Sequence, residues 1–328
     1  MFACPAEPAA EPDPDCNEHV PVLLDEVLEY WITDPDGIYV DGTIGGAGHA
    51  AAALAELGAG ARLIGMDRDR EVLARARRRL SAYGDRVDMI HANYAQLEHA
   101  LDPLLRGRIS GVLLDLGVSS FQIGDAERGM SFMHDGPLDM RMDRSGGTTA
   151  ADLVNGADVE QLAEWFRRYG EEREAGAVAR AIVRERTSGP ITRTARLAEI
   201  VCRARRRHER RIHPATRVFQ ALRMVVNREL EHLEAGLEGA LSVLAPGGRL
   251  AVISFHSLED RCVKHTVGAH RVRWLSLQEG GVRREGLMPP VKWITKKPVM
   301  AGDEERHANP RARSAKLRVA EREPGEEE

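Results

Sequence analysis

Two acids, Asp41 and Asp67, each close a short apolar run, and a cluster of glycines lies between them. The first run, Ile38-Tyr-Val-Asp41, breaks into Gly42, Gly45, Gly46 and Gly48 and then opens an Ala-rich helical segment. The second, Leu63-Ile-Gly-Met-Asp67, ends nineteen residues after Gly48. A glycine turn permits close backbone approach to a ligand, and an acid at the next strand tip can accept hydrogen bonds from a ribose diol. A carboxylate directly before the glycines would repel a dinucleotide pyrophosphate. It would favour the cationic end of S-adenosylmethionine, which carries an ammonium, a sulfonium and no phosphate. A second reading of Asp67 is a helix N-cap, since Asp69 and Glu71 follow and acids favour a first turn.

Three further positions fall where strand ends are expected. Tyr94 follows the apolar stretch that ends at His91 and is placed to pack its ring on adenine or to cover the sheet edge. Asp115 heads Leu116-Gly-Val-Ser-Ser-Phe-Gln122. An acid there could accept the hydrogens of an exocyclic amine, localise its lone pair and aim it at a sulfonium methyl. The competing reading of Asp115 is a cofactor contact alone. His256 lies in Ser254-Phe-His-Ser-Leu-Glu-Asp-Arg261, a polar strand exit that suits a substrate pocket or a structural histidine, with no GxSxG elbow beside it.

These residues need a scaffold that presents strand ends along one edge. Apolar runs bounded by turn residues predict strands near 38–44, 61–67, 87–91, 111–116 and 248–255, with helices near 21–31, 48–58, 69–82, 95–105 and 215–244. The βαβ alternation up to Gly117 predicts an α/β fold, a Rossmann-like sheet covered by helices. The alternation then stops. Residues 125–213 begin with a loop rich in Gly, Asp and Met, followed by helical patterns near 149–156, 158–169, 171–187 and 194–207. An inserted helical domain after the fourth strand is the simplest arrangement. The expected division is 1–18, an acidic tail; 19–122, the first part of the sheet domain; 123–214, the insert; 215–320, the second part; and 321–328, a second acidic tail.

At 328 residues and 43% apolar content the chain can build a sizeable core. No apolar run is long enough to span a membrane, so a cytoplasmic protein with no membrane partner is expected. Cys4, Cys16, Cys202 and Cys262 are far apart and show no metal-ligand spacing, so reduced thiols and no metal are expected. The net charge is −5, yet residues 1–18 alone carry five acids and no base, and residues 321–328 carry a net −4. The body between them is therefore mildly basic, and the first tail reads as disordered. Within the insert, residues 173–223 hold fourteen Arg, no Lys, no Asp and four Glu, densest at Arg203–Arg211. Guanidinium forks grip phosphates and stack on bases, which points to an RNA-facing surface. A solvated helix face in an Arg-rich chain is the plainer reading.

Taken together the motifs resemble the bacterial MraW/RsmH family. The resemblance is carried by His19-Val-Pro-Val-Leu-Leu-Asp-Glu26, Asp41–His49, Leu113–Ser120, Asp125–Met133, Gly136–Asp143, Tyr169-Gly-Glu-Glu-Arg173, His213-Pro-Ala-Thr-Arg217, Ser254–Arg261 and Asn309-Pro-Arg-Ala-Arg-Ser314. It implies a class I methyltransferase sheet with an inserted helical domain that recognises RNA. The implied reaction is methylation of the N4 amine of a specific cytidine in 16S ribosomal RNA, with S-adenosylmethionine as cofactor. Implied cofactor contacts are Ala47, Gly48, His49, Asp67, Tyr94, Asp115 and Gln122, with Asp115 also catalytic. Partners would be 16S RNA within the small ribosomal subunit, with a homodimer left open. Relative to DNA amino-methyltransferases, the Asp115 loop has Leu-Gly-Val in place of Pro-Pro-aromatic, so a base-stacking aromatic must come from elsewhere, Phe132 and Phe255 being the candidates.

Other functions remain open on the residues alone. Gly46-Ala-Gly-His-Ala-Ala51 fits the looser dinucleotide fingerprint, which keeps a nicotinamide-dependent oxidoreductase in play. A non-catalytic RNA-binding assembly factor on the same shell, and a methyltransferase acting on protein or small molecules, are the others.

Overall fold

The computed structural model describes residues 21–118, 120–205, 213–276 and 282–324. The expected disorder of the first tail, Cys4, Cys16 and most of the Arg203–Arg211 cluster lie outside these residues. The strands are β1 (Ile38–Asp41), β2 (Arg62–Asp67), β3 (Val87–His91), β4 (Ile109–Asp115), β5 (Leu244–Ser254), β6 (Arg273–Ser276), β7 (Val282–Glu285), β8 (Val291–Trp293) and β9 (Lys316–Arg322). Helices α1 (Leu24–Trp31), α2 (Gly48–Glu56), α3 (Arg70–Arg79), α4 (Leu97–Ala100) and α5 (Ser120–Gly124) alternate with the first four strands or follow them. Then come α6 (Ala150–Gly156), α7 (Val159–Gly170), α8 (Ala175–Glu185), α9 (Thr194–Ala204) and α10 (Thr216–Val226). α11 (Glu229–Val243), α12 (Ser257–Ala269) and α13 (Asp303–Ala308) complete the set.

Seven strands form one sheet in the order β3-β2-β1-β4-β5-β9-β8, while β6 and β7 make a separate hairpin. β1 to β5 run parallel, and β9 is antiparallel to both β5 and β8. This is an α/β Rossmann-like sheet whose order reverses between β2-β1 and β1-β4, and ligands of such sheets bind outside the carboxyl ends at that switch. The side chains alternate between two cores, as strand geometry requires. Tyr39, Leu63 and Leu113 face α1 and α2, whereas Val40, Ile64, Val112 and Leu114 face α4, α11 and α12.

A third apolar cluster is separate from the sheet. It runs from Leu138 and Met140 through Val154, Phe166, Ile182 and Val201 to Phe219 and Leu222. α6 and α7 start at capping boxes formed by Thr149 with Asp152 and Asp158 with Gln161, so each helix satisfies its own first turn. The cluster also takes in α10. The expected single helix over 215–244 is two helices, because Arg228 adopts a left-handed conformation (φ 49°) after Asn227. The Asn227 side chain bonds Met142 N, Met140 O and Arg223 O, and so ties the break to the Met-rich loop. Among the described residues no helix is long and apolar enough to cross a membrane.

Candidate active site

Three carboxylates stand at the carboxyl ends of adjacent parallel strands: Asp67 on β2, Asp41 on β1 and Asp115 on β4. The loop after β1 is stapled between them. Gly42 N donates to Leu113 O (2.9 Å), Ile44 N to Met66 O (2.9 Å), Gly45 N to Asp67 Oδ2 (3.3 Å), and Asp115 N to Thr43 Oγ1 (2.6 Å). Gly42 is required by close approach, since a Cβ there would lie 2.6 Å from Leu114 Cδ2. At Gly46 a Cβ would meet nothing within 4 Å, so the loop leaves open space on that side. Ala47, left-handed at φ 58°, turns the chain into α2. Gly48 packs on Pro21, and the next residue, His49, is buried.

Burial dominates the electrostatics of the triad. It pushes Asp41 up to about 8, against the pull of the Thr43 amide, and the neighbouring charges of Asp115 and Asp67 add to the rise. Asp115 is pushed to about 7, with Arg311 pulling it down and Glu259 adding to it. Asp67 is raised to about 6 although the amides of Asp69 and Gly45 favour its charged form. Asp115 Oδ1 is shielded and has no hydrogen-bond partner, while Oδ2 stands 3.8 Å from His49 Nδ1. A buried acid left without a donor is expensive in a folded chain unless something else supplies the charge. The site thus suits a ligand that brings positive charge to Asp41 and Asp115 and hydroxyl donors to Asp67.

The N-cap reading of Asp67 does not hold. Asp69 is the N-cap of α3 and accepts from the Glu71 and Val72 amides, which leaves Asp67 as the strand-tip acid. Gln122, 5% exposed, donates to Asp69 Oδ2 (3.0 Å). Arg128 joins the same acid at 2.7 Å, pairs with Glu71 at 2.8 Å and reaches Met142 O. This bond ties Gln122 to the turn that follows Asp67. Nothing in the sequence pattern pointed to Arg128, a guanidinium 1% exposed in an irregular loop.

Tyr94 sits against the glycine turn and α11. A Cβ at Gly236 would fall 2.4 Å from its Cδ2, and one at Gly42 would fall 3.3 Å from its Cβ. Burial raises its hydroxyl far above the usual phenol range. Phe132 stacks on His213 (centroids 4.4 Å apart) and meets Phe219 edge-on, packed against the helical core. Phe255 stays beside the Asp115 loop, 3.6 Å from the Cβ position of Gly117.

His256 takes the structural role. It is the N-cap of α12, its Nδ1 accepting from Glu259 N, and Glu259 returns the bond through Oε2 to the amides of Phe255 and His256. Glu229, His256 and Glu259 bring three metal-type ligand atoms within 4.8 Å, but Arg223 already grips Glu229 through two bonds of 2.8 and 3.0 Å. In the Arg-rich region, Arg205 is buried and turned inward, 3.6 Å from Glu172 and 3.8 Å from Glu174, and it donates to Pro214 O. Arg203 is exposed and pairs with Glu185 and Glu199, and residues 206–212 lie outside those described.

A sequence model of the MraW methylase family matches residues 16–323. A protein of a Geobacter species named ribosomal RNA small subunit methyltransferase H is 51% identical over 306 residues, covering 93% of this chain and 98% of its own. The protein of that name from Heliobacterium modesticaldum is 48% identical over 307 residues, with 93% and 98% coverage. That of Nitratidesulfovibrio vulgaris is 51% identical over 313 residues, with 94% and 97%.

Proposed function

Because the chain belongs to the MraW methylase family, we propose that it methylates the N4 amine of one cytidine in 16S ribosomal RNA of the small subunit, using S-adenosylmethionine. The observation that carries this reading is the partly paired Asp115 carboxylate at the β4 tip, with one buried oxygen still lacking a donor. The names of the relatives support ribosomal RNA as the substrate class.

Bound S-adenosylmethionine supplies an electrophilic methyl group. Around it the chain's residues have separable tasks. Asp67 holds the ribose hydroxyls, and the Asp69–Gln122–Arg128 network fixes the turn that carries it. Asp41 and Asp115 balance the positive end, while Ala47, Gly48 and His49 shape the loop beside it. Tyr94, wedged between Gly42 and Gly236, offers the free part of its ring to adenine. The Asp115 carboxylate accepts a hydrogen of the target amine and holds the nitrogen lone pair in line with the methyl, so that orientation rather than a strong base lowers the barrier. Phe255 is the aromatic left to contact the flipped base, which must leave its stack to reach the site.

RNA recognition falls to the helical region of residues 123–214. Exposed Arg167, Arg168, Arg173, Arg180 and Arg184 give it phosphate-binding groups that do not depend on the Arg205 side of the cluster. The reaction places the protein in the cytoplasm. Mass spectrometry of 16S RNA from a strain lacking the protein tests the proposal. N4-methylcytidine should be lost at one position, and the purified protein should restore it in isolated small subunits. Retention of the modification, or restoration at a different atom, would overturn it.

A further inference from the structure

His49 has a geometry beyond that of a cofactor contact. It is 5% exposed, and its Nε2 lies 2.9 Å from the Val22 carbonyl oxygen. A carbonyl can only accept, so Nε2 carries a hydrogen and Nδ1 is the nitrogen able to stand with or without a proton. Nδ1 faces Asp115 Oδ2. The Asp115 backbone is pinned by Thr43 and its Oδ1 is enclosed without a hydrogen-bond partner, so the exposed part of this side chain, 29% accessible, lies on the Oδ2 side. A carboxylate oxygen on the accessible side of the site with an imidazole nitrogen 3.8 Å behind it is the arrangement of a proton-handling pair.

We infer that His49 and Asp115 form a dyad that takes up the proton released by the methylated amine. The inference rests on the proposed amine methylation. The nitrogen lone pair forms the new bond to the methyl carbon. The carbon–sulfur bond breaks with its electron pair going to sulfur, whose positive charge is cancelled. The nitrogen is then cationic until one of its hydrogens leaves as a proton to Asp115 Oδ2. From Oδ2 that proton passes to His49 Nδ1, giving an imidazolium whose Nε2–H stays on Val22 O.

Charge conservation favours this route. Among the described residues, Arg311 before β9 lowers Asp115 and Glu259 on α12 raises it, while the charges of Asp115 and Asp67 raise Asp41 on β1. Such a pocket prefers to hold one positive charge. Methyl transfer removes that charge from sulfur, and the dyad regains it as a proton.

The test is single-turnover methylation of small subunits at saturating S-adenosylmethionine across about pH 5 to 9. The wild-type rate should fall on the acid side as the dyad fills. His49→Gln keeps a donor for Val22 O but cannot take up a proton. It should slow transfer about a hundredfold and abolish or displace the acid limb, while cofactor affinity by calorimetry changes less than about threefold. His49→Asn serves as the second variant should Gln disturb folding, judged by thermal melting. A wild-type rate and pH profile in either folded variant would overturn the dyad. So would a rate fully recovered by excess cofactor, which would leave His49 a binding contact only. Wild-type protein yielding no N4-methylcytidine would instead overturn the function on which the dyad rests.

Discussion

Two groups of buried acids lie on this sheet edge, and they are treated in opposite ways. Glu259 accepts two backbone amides and faces His256, and these partners hold its carboxyl below the usual range although burial alone would raise it. Its neighbour Glu229 is gripped by Arg223. Asp41 and Asp67 accept from backbone amides, Asp115 has His49 3.8 Å away, and all three are raised. The first group is paired within the chain, His256 Nε2 apart, and serves the architecture. The second is short of positive charge, and that deficit marks where a cationic ligand belongs. Burial of an acid is therefore no guide to its role until its donors are counted.

The sharpest break of this contrast is Asp115→Asn, an isosteric change in the incomplete group. Maximal transfer should fall by about a thousandfold at saturating cofactor, because an interaction made in the transition state is lost. Thermal melting should stay close to wild type, so single-turnover rates and melts on one preparation separate the two groups. The converse is Arg223→Ala in the paired group. Leaving Glu229 buried without its partner should cost about 3–5 kcal/mol by denaturant unfolding. A folded Arg223→Ala protein of wild-type stability would mean that the cluster is less enclosed than its geometry implies.

Asp67→Ala should weaken cofactor binding at least about tenfold, as hydrogen bonds to a charged acceptor contribute about 1.5–3 kcal/mol. Calorimetric titration reads this directly, and unchanged affinity would remove Asp67 from the ribose site.

The raised triad also sets a pH dependence of known sign. The folded protein holds protons on these acids at pH values where the unfolded chain has released them. Stability without ligand is thus fully present below the ordinary carboxylate value of 3.8 and is lost as pH rises through about 6, 7 and 8. A cationic ligand favours the ionised forms, so the melting shift given by S-adenosylmethionine should be larger at the top of that window than at its bottom. An equal shift at both ends would show that the acids are already ionised in the free protein. The smallest effect belongs to Arg203→Ala, an exposed pair with Glu185 and Glu199, which should change stability by about 0.5 kcal/mol or less.

Much of the incomplete group was legible before the fold was known. β1 and β2 are short apolar runs ending in Asp, the glycines between them announce a turn, and both signals are local. The paired group was not legible. Arg223, Glu229 and Glu259 come from three helices, and nothing in their spacing declares that they meet. β9 was missed for a related reason. Lys316, Arg318, Glu321 and Arg322 interrupt the apolar pattern, yet Arg318 pairs with Asp260 and Glu321 with Arg249 and Lys292, while Leu317 and Val319 are wholly buried. Charges that find distant partners look, in one dimension, like solvated ones. The inward turn of Arg205 was hidden in the same way, because Glu172 and Glu174 lie thirty residues earlier.

The place of β9 bears on how this protein comes into being on the ribosome. β9 lies between β5 and β8, and six of its residues pair with β5. Until residues 316–322 leave the exit tunnel, β5 presents an open edge of unpaired amides and carbonyls, the kind of edge that recruits other strands. Arg311, which bears on Asp115, emerges just before it. A nascent chain can therefore assemble β1 to β4 early, but the sheet and the charge balance of its site close together, only after nearly all of the described chain has been synthesised.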